Sequence, residues 1–327
     1  MLFRSIRQLR WPLPLMISVI IPNYNGARFL REAVDSTLDQ QGVEVEVIVV
    51  DDGSTDDSRD VIESYGEQIR SLFQKNHGAC AARNSGLALA TGAYVMFLDS
   101  DDLLYPGALR RMYLELSTLN EKTALYGDAR WMEQGELLLH DDTEIPKGLN
   151  PVAGLIGQNV LTGRVLHRSS NVREVGGFDA KLTRGQEFDL HFRLALNQVG
   201  FVHFSADVLY YRIHSSEHRI SARGFSGNDS NYFLQLNEKH ERLLNEVYGD
   251  AWPDQVRVRM AKRLWEIGRG LIREGDRVQP SLYFEKARIL SPMNYISGGR
   301  LYVALVRLFG PIYIERIGFL MRVSCSY

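Results

Sequence analysis

The sequence predicts an α/β fold, a mostly parallel sheet with helices on both faces followed by a helical C-terminal appendage, on three observations. From residue 16 to 128 short β-branched runs alternate with helical stretches, the pattern of a parallel sheet built from strand-helix units. Polar loops rich in Asp, Asn and Gly follow these runs, where the carboxyl ends of parallel strands gather functional groups. Beyond about residue 226 the apolar spacing becomes helical throughout.

Each element follows from local pattern. Strands are expected at 17–21 (ISVII), 45–50 (VEVIVV), 94–98 (YVMFL) and 123–126 (TALY), with a weaker one at 69–73. Helices fill the intervals at 27–40, 56–66, 79–90 and 107–119. Residues 129–225 are less regular, with strands expected at 161–168 and 208–212. Three helices follow at 228–248, 253–274 and 279–290, the last two spaced like one tetratricopeptide-type hairpin.

With 327 residues, 45% hydrophobic and 24% charged, the chain has ordinary globular composition and length for one large domain plus an appendage. A net charge of −2 argues against nucleic acid as a partner. Cys80 and Cys325 are too few and too far apart for a disulfide framework or a thiolate metal site, which fits a reducing, cytoplasmic compartment. No stretch approaches the roughly 20 apolar residues of a membrane span. The first fifteen residues combine Arg4, Arg7 and Arg10 with Leu2, Phe3, Ile6 and Leu9 at helical spacing, which suits an anionic membrane surface or a frayed basic terminus.

Three loops would share one sheet edge: Pro22-Asn23-Tyr24-Asn25-Gly26, Asp51-Asp52-Gly53-Ser54-Thr55-Asp56 and Asp99-Ser100-Asp101-Asp102. The last sets three carboxylates behind a buried strand, a costly arrangement unless a cation or many donors compensate it, so a metal is the first expectation. The first turn has a single glycine, which excludes the dinucleotide fingerprint, and no phosphate-binding P-loop is present.

SVIIPNYNGARFLREAVDSTLDQ, VIVVDDGSTDDS, HGACAARNSGLALATGAYVMFLDSDD and GGFD followed by GQEFDLHFRLA stand in the order and spacing of the family 2 glycosyltransferases. Over residues 16–215 the chain resembles that family, whose members are inverting enzymes of the GT-A fold. The resemblance implies that Pro22 and Tyr24 border the nucleotide base and that Asp51 or Asp52 accepts from base or ribose, a task suited to a strong acceptor. An Asx-turn capping the next helix explains the same aspartates locally. It implies further that Arg83 bonds the nucleotide, that Asp101 binds Mg²⁺ or Mn²⁺, that Asp99 supports the ion or the ribose, and that Asp102 ligates or stands behind it.

In relatives an aspartate at the position of Glu187 acts as general base, so this chain departs from the pattern by one methylene. Asp189 is the rival base, though pairing with Arg193 at i+4 accounts for it without catalysis. His214 closes a Tyr-Arg-x-His string and is expected at the metal or the diphosphate, with His218 as an alternative. The organisation expected is a basic segment 1–15, a catalytic domain 16–225 divided into a nucleotide-binding half 16–128 and an acceptor half 129–225, and a helical region 226–327.

The activity implied is inverting, metal-dependent transfer from a nucleotide-sugar, a UDP-sugar foremost, to an acceptor hydroxyl in polysaccharide, lipopolysaccharide or other glycan assembly. Donor, a glycan or lipid-linked glycan acceptor and an anionic membrane surface are the partners expected, on the cytoplasmic face. The apolar tail 301–323, broken by Arg307, Glu315, Arg316 and Arg322, would lie in that membrane interface or pack on the catalytic domain. Two alternatives are a nucleotide- or glycan-binding module with a decayed base and a sugar nucleotidyltransferase; the latter would need a basic triphosphate loop, and the first turn offers only Arg28.

Overall fold

The computed structural model describes residues 16–158, 160–214, 231–276 and 278–315. The segment 1–15, His218 and the tail beyond residue 315 lie outside the described residues. The described parts of Met1–Glu144, Val160–Leu190 and Val199–His214 form one unit; those of Ile145–Asn159, His191–Gln198 and Ser215–Tyr327 form another.

Nine strands are described in the first unit: β1 Ile17–Asn23, β2 Val45–Asp51, β3 Arg70–Phe73, β4 Tyr94–Phe97, β5 Leu103–Leu104, β6 Thr123–Glu133, β7 Glu136–Asp141, β8 Val165–Arg168 and β9 Gly200–Ile213. They join in the order β3-β2-β1-β4-β8-β6-β9-β5, with β7 on β6. β3, β2, β1 and β4 are mutually parallel, as the alternating pattern predicts. The other half is mixed: β8 runs antiparallel to β4 and β6, while β9 is parallel to β6 and antiparallel to β5. Every residue of β1 is buried, because helices cover both faces. On one face Ile17, Val19 and Ile21 join Leu30, Ala33 and Val34 of the helix Ala27–Leu38, whose apolar residues recur at i, i+3, i+4. On the other, Ile20 meets Gly86 of the helix Ala79–Leu89.

The second unit is helical among its described residues. The helices Asp254–Arg273 and Pro280–Leu290 share a core of Ala261, Leu264, Ile267, Leu271, Tyr283 and Ala287, the hairpin that the spacing predicts. Gly268 admits the Phe284 ring, which also packs on Trp265 at 4.4 Å between centroids.

Candidate functional site

The carboxyl ends of β1 and β2 carry the first two loops, and hydrogen bonds zip them together. Asn23 Nδ2 donates to Asp51 Oδ1 at 3.1 Å and to Ser54 Oγ at 3.2 Å. Asn25, held at φ 51°, receives Thr55 N–H at 2.7 Å, while its own N–H donates to Ser54 Oγ at 2.9 Å. Ala27 N–H, at the start of the first helix, donates to Asp56 Oδ2 at 3.0 Å. Gly26 is required by close approach: a Cβ there would stand 2.3 Å from Asn23 Oδ1 and 2.9 Å from Ser100 Oγ. All three loops therefore meet at Gly26.

Within this frame the two aspartates of the second loop differ. Asp52 accepts Gln74 Nε2 (2.7 Å) and His77 N–H (2.9 Å) on one oxygen and Gly78 N–H (2.7 Å) on the other, which commits it to the backbone entering the helix Ala79–Leu89. Asp51 accepts Asn23 Nδ2 on one oxygen and Ser54 N–H on the other at 3.1 Å, so the Asx-type turn is present and acceptor capacity remains. Pro22 is buried at the end of β1, whereas Tyr24 is 42% exposed beside the loops.

Arg83 is the hinge of the site. Its guanidinium is buried and donates to Asp99 Oδ1 at 2.6 Å and Gln186 Oε1 at 2.8 Å, and lies over the Phe178 ring at 5.2 Å. Burial works against the charge, but Asp99 and Glu187 outweigh it and hold the group above its ordinary range. Next to it, Asn84 pairs with both backbone groups of Phe178 (2.7 and 2.8 Å), fixing the Gly-Gly-Phe-Asp turn. Gly177 must be glycine, with φ 69° and Asn84 Oδ1 only 2.5 Å from where a Cβ would sit. That turn leads to the helix Gln186–Leu196, so Glu187 opens it near Arg83 and Asp99. Desolvation raises the Glu187 carboxyl above the ordinary carboxylate range; Arg83 opposes the rise and Asp99 adds to it. Cys80, on the same helix as Arg83, is an inert neighbour whose thiol burial pushes up to about 12. Asp189 is fully buried, with its N–H on Gly185 O at 3.0 Å.

After β4, Asp99, Asp101 and Asp102 offer oxygens within 4.8 Å of one another. Asp101 Oδ2 lies 2.9 Å from His214 Nε2 at the end of β9. Arg212 organises this loop: its N–H donates to Asp102 Oδ1 (2.9 Å), its Nε to Asp101 O (3.0 Å) and its Nη2 to Glu32 (2.7 Å). Three clustered carboxylates with an adjoining imidazole are a donor set that fits a hard divalent cation retaining waters or phosphate oxygens.

The part of the chain that carries the first three loops matches a known family: residues 18–159 fit the model described as Glycosyl transferase family 2. The chain carries a family 2 glycosyltransferase domain. The domain's relatives include an uncharacterised glycosyltransferase of Rickettsia felis, 33% identical over 62% of this chain and 35% of the relative. A Rickettsia prowazekii counterpart is 31% identical over 62% of this chain and 65% of its own. Chondroitin synthase of Pasteurella multocida is 28% identical over 72% of this chain but 24% of the synthase. The chain thus spans about a third of the Rickettsia felis relative's length. Among solved structures, residues 1–349 of TarS from S. aureus in complex with UDP-GlcNAc superimpose with a TM-score of 0.71 over 95% of this chain and 92% of TarS, at 17% identity, which establishes a shared GT-A fold.

The structure therefore places Asp51, Asp99, Asp101, Asp102 and His214 at or just after the ends of β2, β4 and β9, with Arg83 on the helix Ala79–Leu89 bonded to Asp99 and Glu187 at the start of the helix Gln186–Leu196. Sequence reasoning overlooked Arg212, Gln186 and Ser54 as partners of the site. Arg212 stood in the same Tyr-Arg-x-His string as His214, which was the signal available.

Proposed function

We propose that the chain transfers a sugar from a nucleotide-sugar, a UDP-sugar foremost, to an acceptor hydroxyl of a glycan or lipid-linked glycan, with inversion. The observation that carries this reading is the polar group in which Arg83 bonds Gln186 and Asp99 with Glu187 close by, and Asp99 clusters with Asp101 and Asp102 beside His214. A raised carboxyl at the start of a helix is a group suited to accept a proton. The acceptor oxygen attacks the anomeric carbon as its proton passes to Glu187; the bond from that carbon to the diphosphate breaks, and its electron pair leaves with the nucleoside diphosphate.

Asp51 accepts from the base or ribose, with Tyr24 beside the base plane, and Asp52 holds the loop. Arg83 and Asp99 orient the donor. Asp99, Asp101, Asp102 and His214 are the residues that would hold Mg²⁺ or Mn²⁺, which when bound offsets charge on the departing diphosphate. The UDP-GlcNAc bound to TarS and the name of the chondroitin synthase relative support a UDP donor and a glycan product. In this reading 16–128 serves the donor, 129–225 the acceptor, and 226–327 an interface with an anionic cytoplasmic membrane face.

The test is Glu187→Gln, which keeps size but cannot accept the proton. Turnover of a UDP-sugar should fall by about 10²–10⁴ while calorimetric donor affinity stays within about twofold. If Glu187→Gln keeps wild-type turnover and Asp189→Asn is folded yet inactive, the base is Asp189 instead. In the Asp101→Ala variant, binding of a nucleoside diphosphate should lose its dependence on Mn²⁺; unchanged dependence removes Asp101 from the metal site.

A further inference from the structure

A second cluster of ligand-type side chains lies on β6, β7 and β9, apart from the Asp99-Asp101-Asp102 group: Asp128, His140 and Asp207, with oxygens and a ring nitrogen within 4.8 Å of one another. His140 Nε2 stands 3.1 Å from Asp207 Oδ1 and 3.7 Å from Asp128 Oδ2. One ring nitrogen carries at most one proton, so it can donate to one of these carboxylates and leaves the other facing it without that bond. Asp128 is only 3% exposed, and its ionic contacts among the described residues are imidazoles alone. A buried carboxylate so placed needs compensating positive charge.

We propose that Asp128 Oδ2, His140 Nε2 and Asp207 Oδ1 bind a divalent first-row transition ion of the zinc type. For metal bonds of about 2.0–2.1 Å, tetrahedral ligand atoms stand roughly 3.3 Å apart, between the two separations His140 makes. The surroundings complete the case. His203 Nε2 sits 2.6 Å from the other oxygen of Asp128, and Arg130 Nε grips both oxygens of Asp207 at 3.1 and 3.0 Å. Ligating carboxylates are commonly fixed from behind in this way. Two aspartates against one arginine leave a net negative charge at the cluster. The imidazole selects a zinc-type ion over Mg²⁺, which prefers oxygen donors. Asp128 is turned toward the cluster by irregular pairing with β9 on both sides of it, a distortion that re-aims side chains. His140 is 34% exposed on β7, which gives an ion a way in.

The test is titration of the metal-free full chain with Co²⁺, followed by displacement with Zn²⁺. Visible absorption from nitrogen-ligated Co²⁺ should appear, persist in Asp101→Ala, and vanish in His140→Ala and Asp207→Asn. His203→Ala should weaken Co²⁺ binding by about 10–100-fold. Circular dichroism of each apo variant checks folding, and His140→Ala, on a partly exposed strand, is the variant least burdened by it. Absence of the bands, their survival in folded His140→Ala, or their loss in Asp101→Ala overturns the proposal.

Discussion

Glu187 meets two opposed demands, since a base must be ionised and burial resists ionisation. Its carboxyl is raised, chiefly by desolvation, so the folded state favours the protonated form. That stabilising contribution is complete below the unfolded value and is lost as pH rises through the folded one. Two outcomes follow at this residue. The acid limb of kcat against pH should lie above the range of an ordinary glutamate. Glu187→Gln, inactive, should also be more stable than wild type at neutral pH, by about 1.4 kcal/mol for each unit of elevation, and the gain should fade as pH falls from the raised folded value to the ordinary glutamate value, below which it is gone. Urea midpoints at acidic and neutral pH measure this; an equal gain at both would falsify the raised carboxyl. Asp52, which shared the same sequence signal as Asp51, separates from it only through partners 22 to 26 positions away, which no local pattern announces.

At the scale of elements, the parallel half was legible because each strand is a β-branched run between helical periods, and structure and expectation agree within a few residues there. The other half was less so. The strand expected to stop at Tyr126 continues to Glu133, through Gly127 and Asp128, because pairing with β9 holds it extended where local propensity suggests a turn. β7 was not expected: Leu137, Leu138 and Leu139 are all exposed, so the strand lacks the alternation that would betray it. The stretch expected as a strand from residue 161 begins with the turn Thr162–Arg164, and only Val165–Arg168 pairs. Helix packing yields a sharper test. A Cβ at Gly86 would lie 2.4 Å from Ile20 Cγ2 and 3.3 Å from Val50 Cγ2. Gly86→Ala gains up to about 1 kcal/mol of helix propensity, but overpacking costs about 1–3 kcal/mol, so net destabilisation is expected. Denaturant unfolding should show the loss shrinking in an Ile20→Ala background; equal losses in both backgrounds would point away from this contact.

For the whole molecule, the proposed membrane association turns on surface that neither unit's core uses. No described helix is long and apolar enough to cross a bilayer. The helix Arg300–Phe309 buries Val306 in a cluster with Trp265, Phe284 and Ile296, yet leaves Leu301, next to Arg300, and Leu308 and Phe309, after Arg307, exposed. Apolar side chains interleaved with arginines suit the headgroup boundary of an anionic leaflet, where the chains insert and the guanidiniums reach lipid phosphate. The basic start of the sequence, with Arg4, Arg7 and Arg10, adds the same chemistry in its composition. The full chain should therefore float with anionic liposomes at low salt and be released as salt shortens the screening length to about 8 Å near physiological strength. Leu308→Asp should weaken flotation by about tenfold while donor binding is unchanged, because a buried leucine contributes about 1.5–3 kcal/mol and the donor residues lie in the other unit. Flotation of Leu308→Asp equal to wild type would remove this helix from the contact, and failure of the wild type to float at low salt would dismiss the membrane as a partner.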